Sequence, residues 1–323
     1  MSLSIRTQWE TQEEKLDVPQ KKREWTIGIP CPPKGESRIP LVPSAIKVLS
    51  SRGFRFLVES KAGEKAGYGD GDLAENGADI SYSREEVFKS DIILQAFPPQ
   101  SGDVPFLKTG QMLISPLHVG SLKLEVIENM QKKRVIGLAM EYMKDRNGSF
   151  PMVRILSELA GTGAVLQAAH WMTAQSNGSG LLLGGISGVP PAKVVILGAG
   201  IVAEYAIRAA MGLGAQICVL DNNIYKLMRL QNILGRRLAT SALDPVILEK
   251  ELIEADLAIG AIHSSDGRSP MVVSEDIVMK MKPGAVIVDV SIDQGGCFET
   301  SEPTTLENPV YVMHDVIHYA VPN

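Results

Sequence analysis

Cysteine is scarce in this chain. There are three among 323 residues, Cys31, Cys218 and Cys297, far apart and with no C-x-x-C pair. So odd and scattered a set excludes a disulfide-stapled secreted scaffold and gives no metal-type thiolate spacing; it fits a reduced, intracellular protein. An excess of positive charge is also missing. The formal net charge is -5, which removes any global electrostatic case for nucleic acid or an anionic membrane surface as partner. The local cluster Lys21, Lys22 and Arg23 reads as solvated surface near a terminus. No long uninterrupted apolar run occurs. The most apolar stretch, 181–207, is broken by Pro190, Pro191, Lys193 and several glycines, which excludes a membrane helix there. The first 25 residues are rich in Gln, Glu, Lys and Arg and hold no apolar core, so they do not form a secretory signal. They are expected to be a flexible arm over 1–24, and the protein is expected to be cytoplasmic. No short repeat or low-complexity segment is found.

What is present is a composition 45% hydrophobic and 21% charged, enough to bury a real core over a length that suggests two domains. Short β-rich runs alternate with helical periodicity, the pattern of a parallel α/β sheet. Strands are expected at 25–29, 55–59, 91–97, 111–116 and 135–141, with helices at 43–51, 84–89 and 122–133. A long helix is expected over 157–175, with Leu159, Leu166, Ala169 and Met172 near one face. The alternation then repeats. Strands are expected at 193–197, 216–220, 256–262, 285–290 and 310–313, and helices at 201–213, 224–234, 245–254 and 274–281. Lys282-Pro283-Gly284 closes the last helix with stop residues.

The most specific motif is Val194-Val195-Ile196-Leu197-Gly198-Ala199-Gly200-Ile201-Val202-Ala203. It reads as a buried strand, a tight turn and a helix start. Gly198 allows the turn, Gly200 lets backbone approach a pyrophosphate, and the small Ala203 permits close helix–strand packing. The helix start then offers backbone N–H groups and a positive dipole end to phosphates. The next strand ends in Asp221, where a carboxylate can accept from a ribose 2′-OH and repel a 2′-phosphate. NAD is therefore the expected cofactor, in preference to NADP. The fold class expected is α/β, with two doubly wound parallel-sheet domains: a substrate domain over 25–150 and a Rossmann NAD-binding domain over 151–323 that includes the long connector helix.

From Trp25 to the last residue the chain resembles alanine dehydrogenase and the related α-subunit of proton-translocating transhydrogenase. The resemblance rests on Gly35-Glu36-Ser37-Arg38-Ile39-Pro40, Ser157-Glu158-Leu159-Ala160-Gly161, Gly184-Gly185-Ile186-Ser187-Gly188-Val189, the glycine fingerprint, and Val288-Asp289-Val290-Ser291-Ile292-Asp293-Gln294-Gly295-Gly296. The last has the alanine dehydrogenase form. The resemblance implies a substrate domain and an NAD domain with a cleft between them. It implies reversible oxidative deamination of L-alanine to pyruvate and ammonia. Arg38 then matches the arginine that holds the substrate carboxylate, a task suited to a guanidinium fork. His118 matches the catalytic histidine, able to move protons near neutral pH, and Asp293 the active-site aspartate. Ser157, Asp221, Lys226 and Ile292 match cofactor-contacting positions. A homo-oligomer is also implied. No metal is expected: His314 and His318, four apart, are read as structural, and His170 as packing.

Three departures from the family pattern stand out. The family carries a substrate-binding lysine in a segment that here reads Leu94-Gln95-Ala96-Phe97-Pro98-Pro99, with no lysine. The loop His263-Ser264-Ser265-Asp266-Gly267-Arg268 replaces an apolar, Pro-Gly-containing loop. The chain ends at Asn323, where family members continue into further helices. Two alternatives follow: a related dehydrogenase of another amino or imino acid, of the saccharopine type, or a non-catalytic NAD(H)-binding or transhydrogenase-like subunit.

Overall fold

The structure is a computed structural model that describes residues 24–120, 122–176, 178–264 and 268–322. The arm expected over 1–24 lies, apart from Glu24, outside the described residues. Two compact units are formed: the first takes the chain up to Ser115 together with Leu124–Gly137, the second Pro116–Lys123 and Leu138–Asn323.

The first unit holds β1 (Trp25–Ile29), α1 (Pro43–Ser50), β2 (Phe54–Glu59), α2 (Asp70–Glu75), β3 (Ala78–Ser81), α3 (Arg84–Val87), β4 (Ile92–Leu94), β5 (Met112–Ser115) and α4 (Leu124–Lys132). With β6 (Ile136–Ala139) the strands lie in the order β3-β2-β1-β4-β5-β6. Strand β1 pairs in parallel with both β2 and β4, so the order reverses at β1. Pro43 starts α1 at a position where a missing N–H costs nothing. Ile27, Ile29, Ile46, Phe56, Val58 and Leu73 form the core.

The second unit contains α5 (Pro151–Trp171), β7 (Lys193–Leu197), α6 (Ile201–Gly212), β8 (Gln216–Leu220), α7 (Ile224–Leu234), β9 (Ala239–Ser241), α8 (Pro245–Ile253), β10 (Leu257–Gly260), α9 (Glu275–Val278), β11 (Val286–Asp289), β12 (Val310–Met313) and β13 (Val316–Tyr319). The sheet order is β12-β13-β11-β10-β7-β8-β9. All its pairs are parallel except β12–β13, which forms an antiparallel hairpin. Both faces of the central strands are covered. Val194 and Ile196 pack with Ala203, Ala206 and Ile207 of α6 and with Val165 of α5. Val195 and Leu197 face the opposite cluster with Leu248, Leu252 and Phe298. Burial on both faces is why β7 reads as an unbroken apolar run; each such side chain contributes roughly 1.5–3 kcal/mol over exposure. Asp244 and Asn223 accept from the first amides of α8 and α7, which fixes where those helices begin.

Several expectations are corrected. Helix α5 begins at Pro151, not Ser157, and ends at Trp171, with a separate 3-10 turn at Ala174–Ser176. It buries Gly161, Ala164, Val165 and Ala168, whereas Leu159 and Leu166 point outward. His170 is exposed, edge-on to Trp171 at 5.0 Å. Strands β3, β9 and β13 and helix α2 lie where the sequence pattern predicts no element. Strand β13 follows a two-residue turn in which His314 and Asp315 both have positive φ, 54° and 59°, the backbone that a tight hairpin of right-handed twist requires. His318 is fully buried, hydrogen-bonded to Thr300 Oγ1 at 2.8 Å and to the Val316 carbonyl, and stacked on Tyr311. His314 instead meets Glu275 at 2.6 Å.

Candidate functional site

In open parallel sheets ligands bind beyond the carboxyl ends of the strands, where the strand order reverses. In the second unit the loops after β7, β8, β10 and β11 all leave from that edge; those after β7 and β8 are bonded to each other, as are those after β10 and β11. Gly198 has φ +106°, and a Cβ there would stand 2.4 Å from the Ala261 carbonyl oxygen beyond β10. Only glycine satisfies both conditions. The Ala199 amide donates to Asp221 Oδ2 at 2.7 Å, and the Asn223 amide donates to Oδ1 at 2.6 Å. This joins the turn after β7 to the end of β8. Gly200 caps α6, and the first helical bond runs from the Glu204 amide to the Gly200 carbonyl. The amides of Ile201, Val202 and Ala203 therefore have no acceptor within the helix. Open space faces Gly200. A turn of this shape, with a helix N-terminus behind it, fits a dinucleotide pyrophosphate. Asp221 keeps acceptor capacity for a ribose hydroxyl, because a carboxylate has about four lone-pair sites and two are used.

The loops after β10 and β11 are clamped together by Gln294. Its Oε1 accepts from the Ser264 amide at 3.0 Å, its Nε2 donates to the Ser264 carbonyl at 3.2 Å, and its carbonyl accepts from the Ser269 amide at 2.9 Å. Asp293 precedes it in a 3-10 turn, Val290–Gln294, and is exposed. Asp289 shapes that loop by accepting from the amides of Ser291 and Cys297 at 3.0 and 2.9 Å. Burial pushes its carboxyl up, opposed by these bonds. Ile292 is buried, so its side chain faces inward. Of the loop read as 263–268, residues 265–267 lie outside the described residues.

Ser157 stands half-buried on α5, and Lys226 is exposed on the first turn of α7. Helix α5 lies directly on α6: a Cβ at Gly161 would come 2.2 Å from the Val202 carbonyl. His118 follows β5 with φ +42°. Its amide donates to Glu141 Oε1 at 2.7 Å, and the Leu117 amide reaches both Glu141 oxygens at 3.1 and 3.2 Å. Glu141 lies 23 residues away, and no local pattern marks it as the partner of His118.

Arg38 belongs to the first unit, in the loop after β1. Its Nε and Nη2 donate to Glu36 Oε1 and Oε2 at 2.9 and 2.6 Å. Burial raises the Glu36 carboxyl, and the bonds from Arg38 outweigh it, leaving it below the ordinary carboxylate value. Lys65, from the 3-10 turn Glu64–Ala66 after β2, brings a cation against this loop, with Nζ 3.4 Å from the Glu36 carbonyl. After β4, Gln95 is 1% exposed and donates its amide to the Phe97 carbonyl at 2.8 Å; Phe97 is also buried. This segment presents neither side chain as a ligand group. The cysteines are free thiols. Burial pushes Cys218 up to about 11 and Cys297 well above the usual thiol value, so neither supplies a thiolate nucleophile.

The family model for the alanine dehydrogenase/PNT N-terminal domain matches residues 29–160, and that for the C-terminal domain matches 164–323. Alanine dehydrogenase 2 of Staphylococcus aureus is 36% identical over 299 residues, which is 92% of this chain and 80% of that protein. Alanine dehydrogenase of Staphylococcus epidermidis is 37% identical over the same length and shares. A solved L-alanine dehydrogenase superposes with a TM-score of 0.87 at 35% identity, covering 92% of this chain and 82% of its own. A transhydrogenase from Sinorhizobium meliloti gives 0.79 at 24% identity over 92% and 86%, a likeness of fold.

Proposed function

The chain belongs to the alanine dehydrogenase/PNT family, and from that premise we propose that it is an NAD-dependent amino-acid oxidoreductase. The reaction is L-alanine, water and NAD to pyruvate, ammonium, NADH and a proton, and the reverse. The observation that carries this reading is two bonded loop pairs at one sheet edge, the Gly198–Gly200 turn with Asp221 and the loop after β10 with the Asp293 loop, brought close where Gly198 meets Ala261. Residues 25–150 are proposed as the substrate domain and 151–323 as the NAD domain.

NAD, when bound, supplies the hydride acceptor for the alanine Cα–H. The chain's residues do the rest. The amides after Gly198 and Gly200, with Ala203 allowing close packing, hold the pyrophosphate. Asp221 accepts from the adenosine ribose and disfavours a 2′-phosphate. Ser157, Lys226 and the backbone at Ile292 complete the cofactor contacts. Arg38 uses the guanidinium edge left by Glu36 to hold the substrate carboxylate. His118 moves protons on and off the attacking water and the leaving amine. Asp293 orients water or ammonia and balances charge.

The test is the initial rate of NADH oxidation with pyruvate and ammonium, alongside NADH binding by fluorescence. Turnover lost in His118→Ala and Asp293→Asn supports the reading. NADH binding without turnover on these substrates counts against it. The buried Gln95 and Phe97 favour a second reading, a dehydrogenase of another amino or imino acid of the saccharopine type, which a substrate panel would expose. Binding with no turnover on any panel member would leave an NAD(H)-binding or transhydrogenase-like subunit. We also propose a cytoplasmic homo-oligomer. Its free thiols and the exposed Ile155, Leu159 and Leu166 of α5 support this. Light scattering of the purified chain tests the assembly. Among the described residues no helix is long and apolar enough to cross a membrane.

A further inference from the structure

Behind the glycine turn stands a charged trio outside the fingerprint. Arg229 on α7 donates from Nη2 to the Ala199 carbonyl at 3.2 Å and reaches the Gly200 carbonyl at 3.5 Å. Its Nη1 donates to Glu204 Oε2 at 2.8 Å. Glu204 lies in the first turn of α6 and is 4% exposed. Its other oxygen accepts from Arg208 Nη2 at 3.0 Å and Nε at 3.3 Å. Burial pushes the Glu204 carboxyl up, and the bonds from the two arginines outweigh it, so its pKa lies below the ordinary value.

The Ala199 residue is thus gripped at both ends. Asp221 takes its N–H and Arg229 takes its C=O. A turn that offers N–H groups to a phosphate needs its carbonyls directed away, and a guanidinium behind it fixes them there. Charge points the same way. Glu204 alone would place a buried anion beneath a site for a diphosphate, and with two guanidinium groups the trio carries +1 instead.

We propose that Arg229 is a positioning residue for the cofactor: it fixes the Ala199 and Gly200 peptides so that the turn's amides face the dinucleotide pyrophosphate, with Glu204 as its buried anchor. The proposal rests on the dinucleotide reading above.

The experiment titrates NADH by fluorescence against the purified chain and the variants Arg229→Met, Arg229→Lys and Arg229→Met/Glu204→Gln, with thermal melting of each. In Arg229→Met the Kd and KM for NADH rise about tenfold. The KM for pyruvate, and kcat at saturating NADH, stay within about twofold. Arg229→Lys, with a point charge in place of a fork, falls between wild type and Arg229→Met. The double variant regains melting temperature, because no buried carboxylate is left short of a partner, and still binds NADH weakly. If the double variant recovers both stability and NADH affinity, Arg229 merely neutralises Glu204 and the proposal is overturned. Wild-type affinity in Arg229→Met overturns it too. A wild-type chain that binds no NADH removes the dinucleotide reading and the proposal together, a result distinct from either variant outcome.

Discussion

Replacing Glu141 with alanine should cost activity without touching a group that meets substrate. The carboxylate accepts from two successive amides, His118 at 2.7 Å and Leu117 at 3.1 and 3.2 Å. His118 has φ +42°, a left-handed conformation that costs a non-glycine residue roughly 1 kcal/mol or more. The two bonds to an ionised acceptor hold the loop against that strain, each contributing about 1.5–3 kcal/mol. Water replaces part of this when the carboxylate is removed. With the bonds gone, a remaining balance of about 2 kcal/mol in favour of a relaxed loop leaves roughly one chain in thirty with His118 in place. kcat/KM for pyruvate should therefore fall about thirtyfold. The Kd for NADH should hold, because the turn at Gly198 shares none of these bonds. Initial rates of NADH oxidation measure the first, and fluorescence titration the second. Combined with His118→Ala, the Glu141→Ala substitution should add almost nothing further, since it acts through a side chain already gone. A single variant within twofold of wild type, or full additivity in the double variant, would refute the reasoning.

Gly198→Ala places a Cβ 2.4 Å from a backbone oxygen at φ +106°; the chain should lose about 2 kcal/mol or more and bind no NADH, read by melting and titration. Asp221→Ser removes the carboxylate that would repel a 2′-phosphate, so the NADPH-to-NADH preference should rise about tenfold; an unchanged ratio counts against Asp221 as the discriminating group. Burial holds His318 below its ordinary pKa of 6.5. Between 6.5 and its lower folded value the unfolded chain binds the proton and the folded chain does not, so stability falls as pH drops through that window. Urea midpoints on both sides of it, in wild type and His318→Gln, should show the slope in wild type alone. Gln95→Lys buries an ammonium at a site 1% exposed and should cost about 3 kcal/mol with no gain in rate; a stable, faster variant would mean that the segment turns outward.

How much of this was legible depends on sequence separation. The β7 strand, the glycine turn and Asp221 fall within one local pattern, because a strand buried on both faces must be continuously apolar. The start of α5 was hidden: Met152, Val153, Ile155 and Leu156 are apolar yet exposed, so the first turns show no periodic stripe. Strands β3 and β9 have four and three residues, too few for alternation to register. Strand β13 follows His314 and Asp315 instead of the usual Asn-Gly turn signal. In the candidate site the hidden partners are those that meet only through the fold. Glu141 with His118 and Glu204 with Arg229 are separated by 23 and 25 residues, and nothing in one segment marks the other. Glu36 and Arg38, two apart, were both in view; only the structure shows that they are bonded.

That last pair bears on the missing lysine. In the segment after β4 Gln95 is turned inward and spends its amide on the Phe97 carbonyl, so the segment supplies no charge to a substrate. The carboxylate of an amino acid must then be neutralised elsewhere, and Arg38 is the candidate guanidinium. Glu36 occupies its Nε and one Nη2 hydrogen, and a guanidinium has five N–H groups in all. Three remain, and one on each Nη faces the far edge, enough for a two-point grip on a second carboxylate. Glu36 therefore does not disable Arg38. It fixes the plane in which the remaining edge is presented, and it also cancels part of the charge that edge carries. Lys65, against the Glu36 carbonyl, leaves the group of Arg38, Glu36 and Lys65 at +1, but with no lysine in the segment after β4 a two-point grip by Arg38 carries more of the recognition of a small 2-oxo acid. A substrate whose own bulk or second polar group adds contacts would gain most from such an arrangement. The amino or imino acids larger than alanine are therefore where a substrate panel should look first once pyruvate has been tried.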